Sequence, residues 1–141
     1  MKTRNLIFAL MLVLLLTVAV TGSAAAAKPP PPTPSLTFGS YNWSMANYAM
    51  TISVSNIAWS GVKPADIAFA VESTGPYGSF SNYVSMTRAR GITSLSYLET
   101  PAMNVTNNAA GYFEVYLVLL DGKGNELART FVISLSGSYL S

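Results

Sequence analysis

Residues 111–135 read GYFEVYLVLLDGKGNELARTFVISL, and this stretch decides the fold. Two long β-favouring runs, 111–121 and 125–135, flank Gly122-Lys123-Gly124, and a short loop carrying glycine between such runs predicts an antiparallel hairpin. In the first run Phe113, Val115, Leu117 and Leu119 share one parity, while Tyr112, Glu114, Tyr116, Val118 and Leu120 share the other. Glu114 marks the second set as the outer face, although its other four members are apolar or aromatic. That face is either covered by a further layer or exposed and adhesive. In the return run Leu127, Phe131, Ile133 and Leu135 share a parity with Arg129. Simple register would set that charge beside the core, so Arg129 requires a bulge or a rim position.

Working outward, the rest of the chain repeats the pattern in shorter runs broken by Gly, Pro, Asn and Ser. Residues 48–55 (YAMTISVS) alternate large apolar with small or polar side chains, as a strand with one buried face does. In 66–72 (DIAFAVE), Ile67, Phe69 and Val71 face one way. Residues 36–42 read as a first strand, and 83–88 and 92–99 as weaker ones. No helical period and no internal repeat competes with this all-β reading.

The closing hairpin resembles that of bacterial and archaeal immunoglobulin-like repeats, the polycystin-type and related surface-protein modules. Those repeats end with Gly-x-Tyr, alternating Val or Leu, Asp-x-x-Gly-Asn and a last strand. Here the matching residues are Gly111-Tyr112-Phe113, then Val115, Leu117 and Leu119, then Asp121-Gly122-Lys123-Gly124-Asn125. Phe113 stands where those repeats usually carry tyrosine, which removes the hydroxyl of a tyrosine corner. The resemblance implies an immunoglobulin-like two-sheet β-sandwich of about seven strands. It also implies the usual occupation of such modules, as spacers, adhesive units or binding appendages at a cell surface.

The opposite end of the chain supplies an address. Lys2 and Arg4 precede an apolar run over 6–20 and then Gly22, Ser23 and Ala24 to Ala27, the layout of a cleaved secretory signal peptide. The run is shorter than the ~20 residues of a spanning helix, so no membrane span is expected after cleavage. Ser23 occupies the place of the lipid-bearing cysteine in a lipoprotein box, which argues against a lipid anchor. Residues 28–34 (KPPPPTP) favour an extended polyproline II spacer. The expected organisation is a signal peptide over 1–27, a proline-rich spacer over 28–35 and a β-sandwich domain over 36–141.

Composition narrows the function. The chain is 50 % hydrophobic and 10 % charged, with no cysteine and no histidine, which removes disulfides, thiolate and histidine metal sites, cysteine nucleophiles and Ser-His-Asp triads. After residue 27, six cations (Lys28, Lys63, Arg88, Arg90, Lys123, Arg129) balance six anions (Asp66, Glu72, Glu99, Glu114, Asp121, Glu126). Only Arg88 and Arg90 stand close together, so no nucleic-acid partner is expected. The scattered acids read as surface and turn residues, so no enzyme, no cofactor and no metal site is expected. Asp121 and Asn125 read as turn chemistry and not as a calcium loop.

Three groups of residues remain as candidate sites. Asn42-Trp43-Ser44 and Asn104-Val105-Thr106 are sequons, making Asn42 and Asn104 candidate glycosylation acceptors. Residues 75–83 (GPYGSFSNY) read as a loop that offers Tyr77, Phe80 and Tyr83 to a partner, a polysaccharide among them. Tyr112, Tyr116, Val118 and Leu120 form a candidate assembly face. Trp43 and Trp59 are expected in core or sheet-end packing. The sequence thus predicts a secreted or cell-surface, non-catalytic β-sandwich with a structural or adhesive role, self-associating or bound to another protein. A small carbohydrate-binding module is the alternative.

Overall fold

A computed structural model describes residues 27–75, 78–104 and 112–136. The chain divides into two units, Met1–Pro31 and Pro32–Ser141. In the first, the described residues 27–31 have no regular structure, and the expected signal segment otherwise lies outside the described residues. The second holds β1 (Ser35–Thr37), β2 (Ser40–Ala46), β3 (Ala49–Ser60), β4 (Asp66–Gly75), β5 (Gly78–Arg88), β6 (Ser94–Glu99), β7 (Met103–Asn104), β8 (Tyr112–Leu120) and β9 (Glu126–Ser136). No helix occurs among the described residues.

These segments form two antiparallel sheets packed over one apolar core, a sandwich-like all-β fold. In the first sheet Ala58 pairs with both Thr37 and Ser94, Val54 with both Tyr41 and Leu98, and Met50 with both Met45 and Met103. A strand residue has one neighbour on each side. Hence β1 and β2 are two pieces of one edge, β6 and β7 two pieces of the other, and β3 runs between them. The second sheet has the order β5-β4-β8-β9. Among the described residues nine segments therefore make seven rows of strand, four in one sheet and three in the other.

Local chemistry explains the interruptions. Ala46 pairs with Ala49 around Asn47 and Tyr48, whose φ angles of 52° and 60° are those of a tight hairpin turn. Tyr48, read as the start of a strand, is therefore a turn residue. Along β3, Met50, Ile52 and Val54 point inward, each 1 % exposed or less. Asn56, at φ 54°, resets the phase so that Ile57 and Trp59 continue the buried row. The expected first strand breaks opposite Asn56 into β1 and β2, at Gly39, where a Cβ would stand 3.0 Å from Asn56 Cβ. Gly61, at φ 77°, lies so close to the preceding chain that a Cβ would meet the Thr33 carbonyl oxygen at 2.5 Å. The end of the proline-rich stretch thus packs on the domain, and β1 begins at Ser35, inside the expected spacer.

On β4, Ile67, Phe69 and Val71 face the core as expected, with Val115, Leu117 and Leu119 beside them on β8. The expected bulge is present on β9, and twice. Val115 and Tyr116 pair with Ile133 and Phe131, skipping Val132; Leu119 and Leu120 pair with Ala128 and Glu126, skipping Leu127. Each extra residue flips the following parity. Between the bulges Arg129 and Phe131 therefore face outward opposite Val118 and Tyr116, while Val132, Ile133 and Leu135 face the core. This corrects the placement of Phe131, which is half-exposed. Trp59 is buried as expected, whereas Trp43, on the edge strand β2, is 39 % exposed.

Candidate functional site

The expected binding loop over 75–83 is mostly strand. Gly75 pairs with Gly78, and β5 runs on from there, so Phe80 and Tyr83 are ladder residues. They differ by an odd number of positions and take opposite faces. Phe80 registers with Ser73 on the inner face and meets Phe113 edge-on at 6.4 Å. Tyr83 registers with Ala70 on the outer face. No single platform holds both rings. Tyr77 lies outside the described residues.

The expected assembly face is corrected at half its members. Tyr112 is 46 % exposed, but Val118 and Leu120 are 0 % and 1 % exposed. Ala68 and Ala70 on β4 make a shallow trough beside Val118 and Leu120, and these four form a small apolar cluster against Tyr116. Long side chains from both edges meet on the same face. Tyr83 Oη on β5 donates to Glu126 Oε1 on β9 at 2.9 Å, and Arg129 donates to both Glu126 oxygens at 2.8 and 2.7 Å. A third Arg129 bond, 2.9 Å, goes to Glu72 Oε1. The guanidinium carbon sits 4.6 Å above the Tyr116 ring, which also meets Phe131 edge-on at 5.6 Å.

This network offsets a local conflict. Glu72 and Glu114 are direct cross-strand partners, a destabilising placement for like charges. Arg129 binds the first, and Tyr116 Oη donates to the second at 2.9 Å. Hydrogen bonding to Glu126 and Glu114 raises the pKa of Tyr83 and of Tyr116 respectively, and hydrogen bonding from Arg129 lowers that of Glu126. The two facing carboxylates lie on a sheet face, not in a cleft, and each already accepts a hydrogen bond.

A cleft does exist, at the end of the sandwich where three connections meet. Its volume is about 500 Å³, and it is lined by residues 62–65 between β3 and β4, 90–93 between β5 and β6, and Gly122 of the β8–β9 turn. Backbone bonds tie these walls together: Ala65 N–H to the Leu120 carbonyl (2.8 Å), Ala89 N–H to the Ala65 carbonyl (2.9 Å) and Ile92 N–H to the Ala89 carbonyl (3.3 Å). Val62, Pro64, Ala65 and Ile92 make an aliphatic wall, and Lys63 and Arg90 add charge. A Cβ on Gly122 would stand 3.9 Å from Arg90 Nη2, so the guanidinium lies over the turn.

The nearby acid Asp121 is occupied. Its Oδ1 accepts from Lys123 N–H (2.8 Å) and Asn125 N–H (2.9 Å), and its Oδ2 from Asn125 Nδ2 (2.9 Å). The Asn125 side chain first, then these backbone donors, hold its pKa below the usual carboxylate range. Among the described residues Lys63, Arg90 and Lys123 form no ion pair. Sequence reading missed this site because Lys63, Arg90 and Gly122 sit in three separate connections, and only the sheet topology joins them.

Both sequon asparagines, Asn42 on β2 and Asn104 on β7, are exposed. Among the described residues no group of three or more acidic, histidine or cysteine side chains is arranged to hold a metal ion. No protein-family model, curated protein or solved structure matches the chain.

Proposed function

We propose that this protein is an extracellular, non-catalytic immunoglobulin-like module with a structural or adhesive role, presented at a cell surface behind a proline-rich spacer. Strand order supports the immunoglobulin-like part: β5-β4-β8-β9 in one sheet, and β3 flanked by split edges in the other, match the two-sheet plan of that fold with a closing β8–β9 hairpin. The signal-peptide pattern and the KPPPPTP stretch support the location.

The observation that carries a binding role is the cleft. Three cross-tied connections converge on an aliphatic wall with two unpaired cations, a pre-organised surface that needs no closure to receive a partner. Assembly through the Tyr112–Leu120 face is not part of this reading, because Val118 and Leu120 are already covered.

Expression of the full sequence in a secreting host tests the location: N-terminal sequencing of the secreted product is expected to begin near residue 28. Beads coated with that product are expected to adhere to the surface of the source cells, and less so with Arg90→Glu. Unprocessed protein retained inside the cell would overturn the location, and adhesion insensitive to Arg90→Glu would overturn the binding end.

A further inference from the structure

We infer that the cleft at the loop end receives an acidic peptide segment of a partner protein, a carboxylate side chain flanked by an aliphatic one; this rests on the binding role proposed above. The charge on this end is the first ground. Lys63, Arg88, Arg90 and Lys123 lie in or next to the three connections, against Asp66, Asp121 and Glu126. Two of those acids are engaged within the molecule, Asp121 by its own turn and Glu126 by Arg129 and Tyr83. The third, Asp66, stands across from Arg88 in the β4–β5 register. That leaves Lys63 and Arg90, the two cations that line the cleft, with no internal counter-ion among the described residues. Arg90 offers a planar fork suited to a carboxylate, and Lys63 a mobile point charge.

The wall is the second ground, and it separates a peptide from a sugar. The cleft lining carries no aromatic ring, whereas Val62, Pro64, Ala65 and Ile92 are aliphatic, with Ile92 42 % exposed. An aliphatic side chain gains by covering such a wall. The hydroxyls of an acidic polysaccharide would lose water there without finding partners, which costs free energy. Rigidity is the third ground: the walls are joined by backbone bonds and need no ordering on binding.

Calorimetric titration of the secreted protein with an acetylated Leu-Glu-Leu-Glu-Leu-Glu peptide tests the assignment. Saturable binding is expected at about 50 mM salt, weakened several-fold at about 500 mM, where charges outside close contact are screened. Lys63→Gln with Arg90→Gln is expected to weaken it at least ~10-fold, as for loss of paired interface charges. A second variant, Gly122→Asp, keeps both cations but sets an acid beside Arg90, and is expected to weaken binding similarly. Both changes are at exposed loop positions, and an unchanged unfolding midpoint shows that the fold is intact. No heat with the peptide, or variants that bind it as tightly as the unsubstituted protein does, would overturn the site. Tighter variant-sensitive binding of polygalacturonate than of the peptide would overturn the ligand class. Adhesion that persists and still responds to Arg90→Glu while the peptide fails would leave the binding role standing and remove this ligand.

Discussion

Val118→Ala tests the covered outer face most directly. An outward residue on a sheet with nothing above it should tolerate truncation within about 0.5 kcal/mol. Val118 is fully buried, with Ala68 and Arg129 as its cross-strand partners and Ala70, Leu120 and Tyr116 in the same apolar cluster. Truncation removes two methyl groups from an apolar site, about 1.6 kcal/mol at ~0.8 kcal/mol each. The void adds up to about 1.2 kcal/mol, taking ~50 Å³ at ~24 cal/mol per Å³, if the walls stay in place. The short alanine neighbours are fixed to the sheet and cannot move in, whereas the longer side chains of the same face can settle part of the way. The expected loss is therefore about 2 kcal/mol in urea unfolding followed by circular dichroism, with an unchanged slope. Tyr112→Ala, on the same strand but 46 % exposed, serves as the control and is expected to cost well under half as much. A loss below about 0.5 kcal/mol at Val118 would refute the covered face and restore an open one.

Three more outcomes follow from the same geometry. Arg129→Met keeps an apolar stem beside Val118 but loses the bonds to Glu72 and Glu126 and the contact with Tyr116, and is expected to cost about 1–2 kcal/mol in the same assay, with only the share owed to Glu72 absent when Glu72 is also changed to Gln. Gly61→Ala is expected to lower the thermal midpoint by several degrees, since its Cβ would meet the Thr33 carbonyl oxygen at 2.5 Å and its φ is 77°. Stability is expected to fall on both sides of neutrality. The depressed pKa values of Asp121 and Glu126 give stability present above the unfolded carboxylate pKa and lost as pH drops through the folded values. The raised values of Tyr83 and Tyr116 give stability present below the unfolded tyrosine pKa and lost as pH rises through the folded ones. Tyr83→Phe should flatten part of the alkaline limb in a pH series of melting curves, and an unchanged limb would contradict the Tyr83–Glu126 bond.

Strand content was legible because its signals are local. Alternation in 66–72 and 113–119 named the inward residues of β4 and β8, and Gly122-Lys123-Gly124 placed the closing turn. Arg129 called for a bulge or a rim position, because a charge on the core parity has to be moved somewhere, and the pairing of β9 supplies the bulge. Failures occurred where a composition rule stood in for pairing. Gly, Pro and Ser around Phe80 suggested a loop, but cross-strand bonds to β4 hold that segment as a strand despite its turn-rich composition. Tyr48 has the strand propensity of an aromatic residue, yet the two-residue connection between Ala46 and Ala49 places it at positive φ.

By itself, then, the sequence determined that this chain builds β-sheets, which residues share a parity and where the last hairpin turns, because those properties depend on neighbours a few positions apart. It also removed thiol and histidine chemistry by their absence. Only the tertiary structure decided what lies above each face. Parity assigns Val118 and Leu120 to the outside; the fold buries both, in one cluster with Ala68 and Ala70 on the face where Tyr83, Glu126 and Arg129 meet from the two edges. The cleft likewise needs residues 62–65, 90–93 and 122, whose meeting depends on strand order and on backbone bonds between connections far apart in the chain.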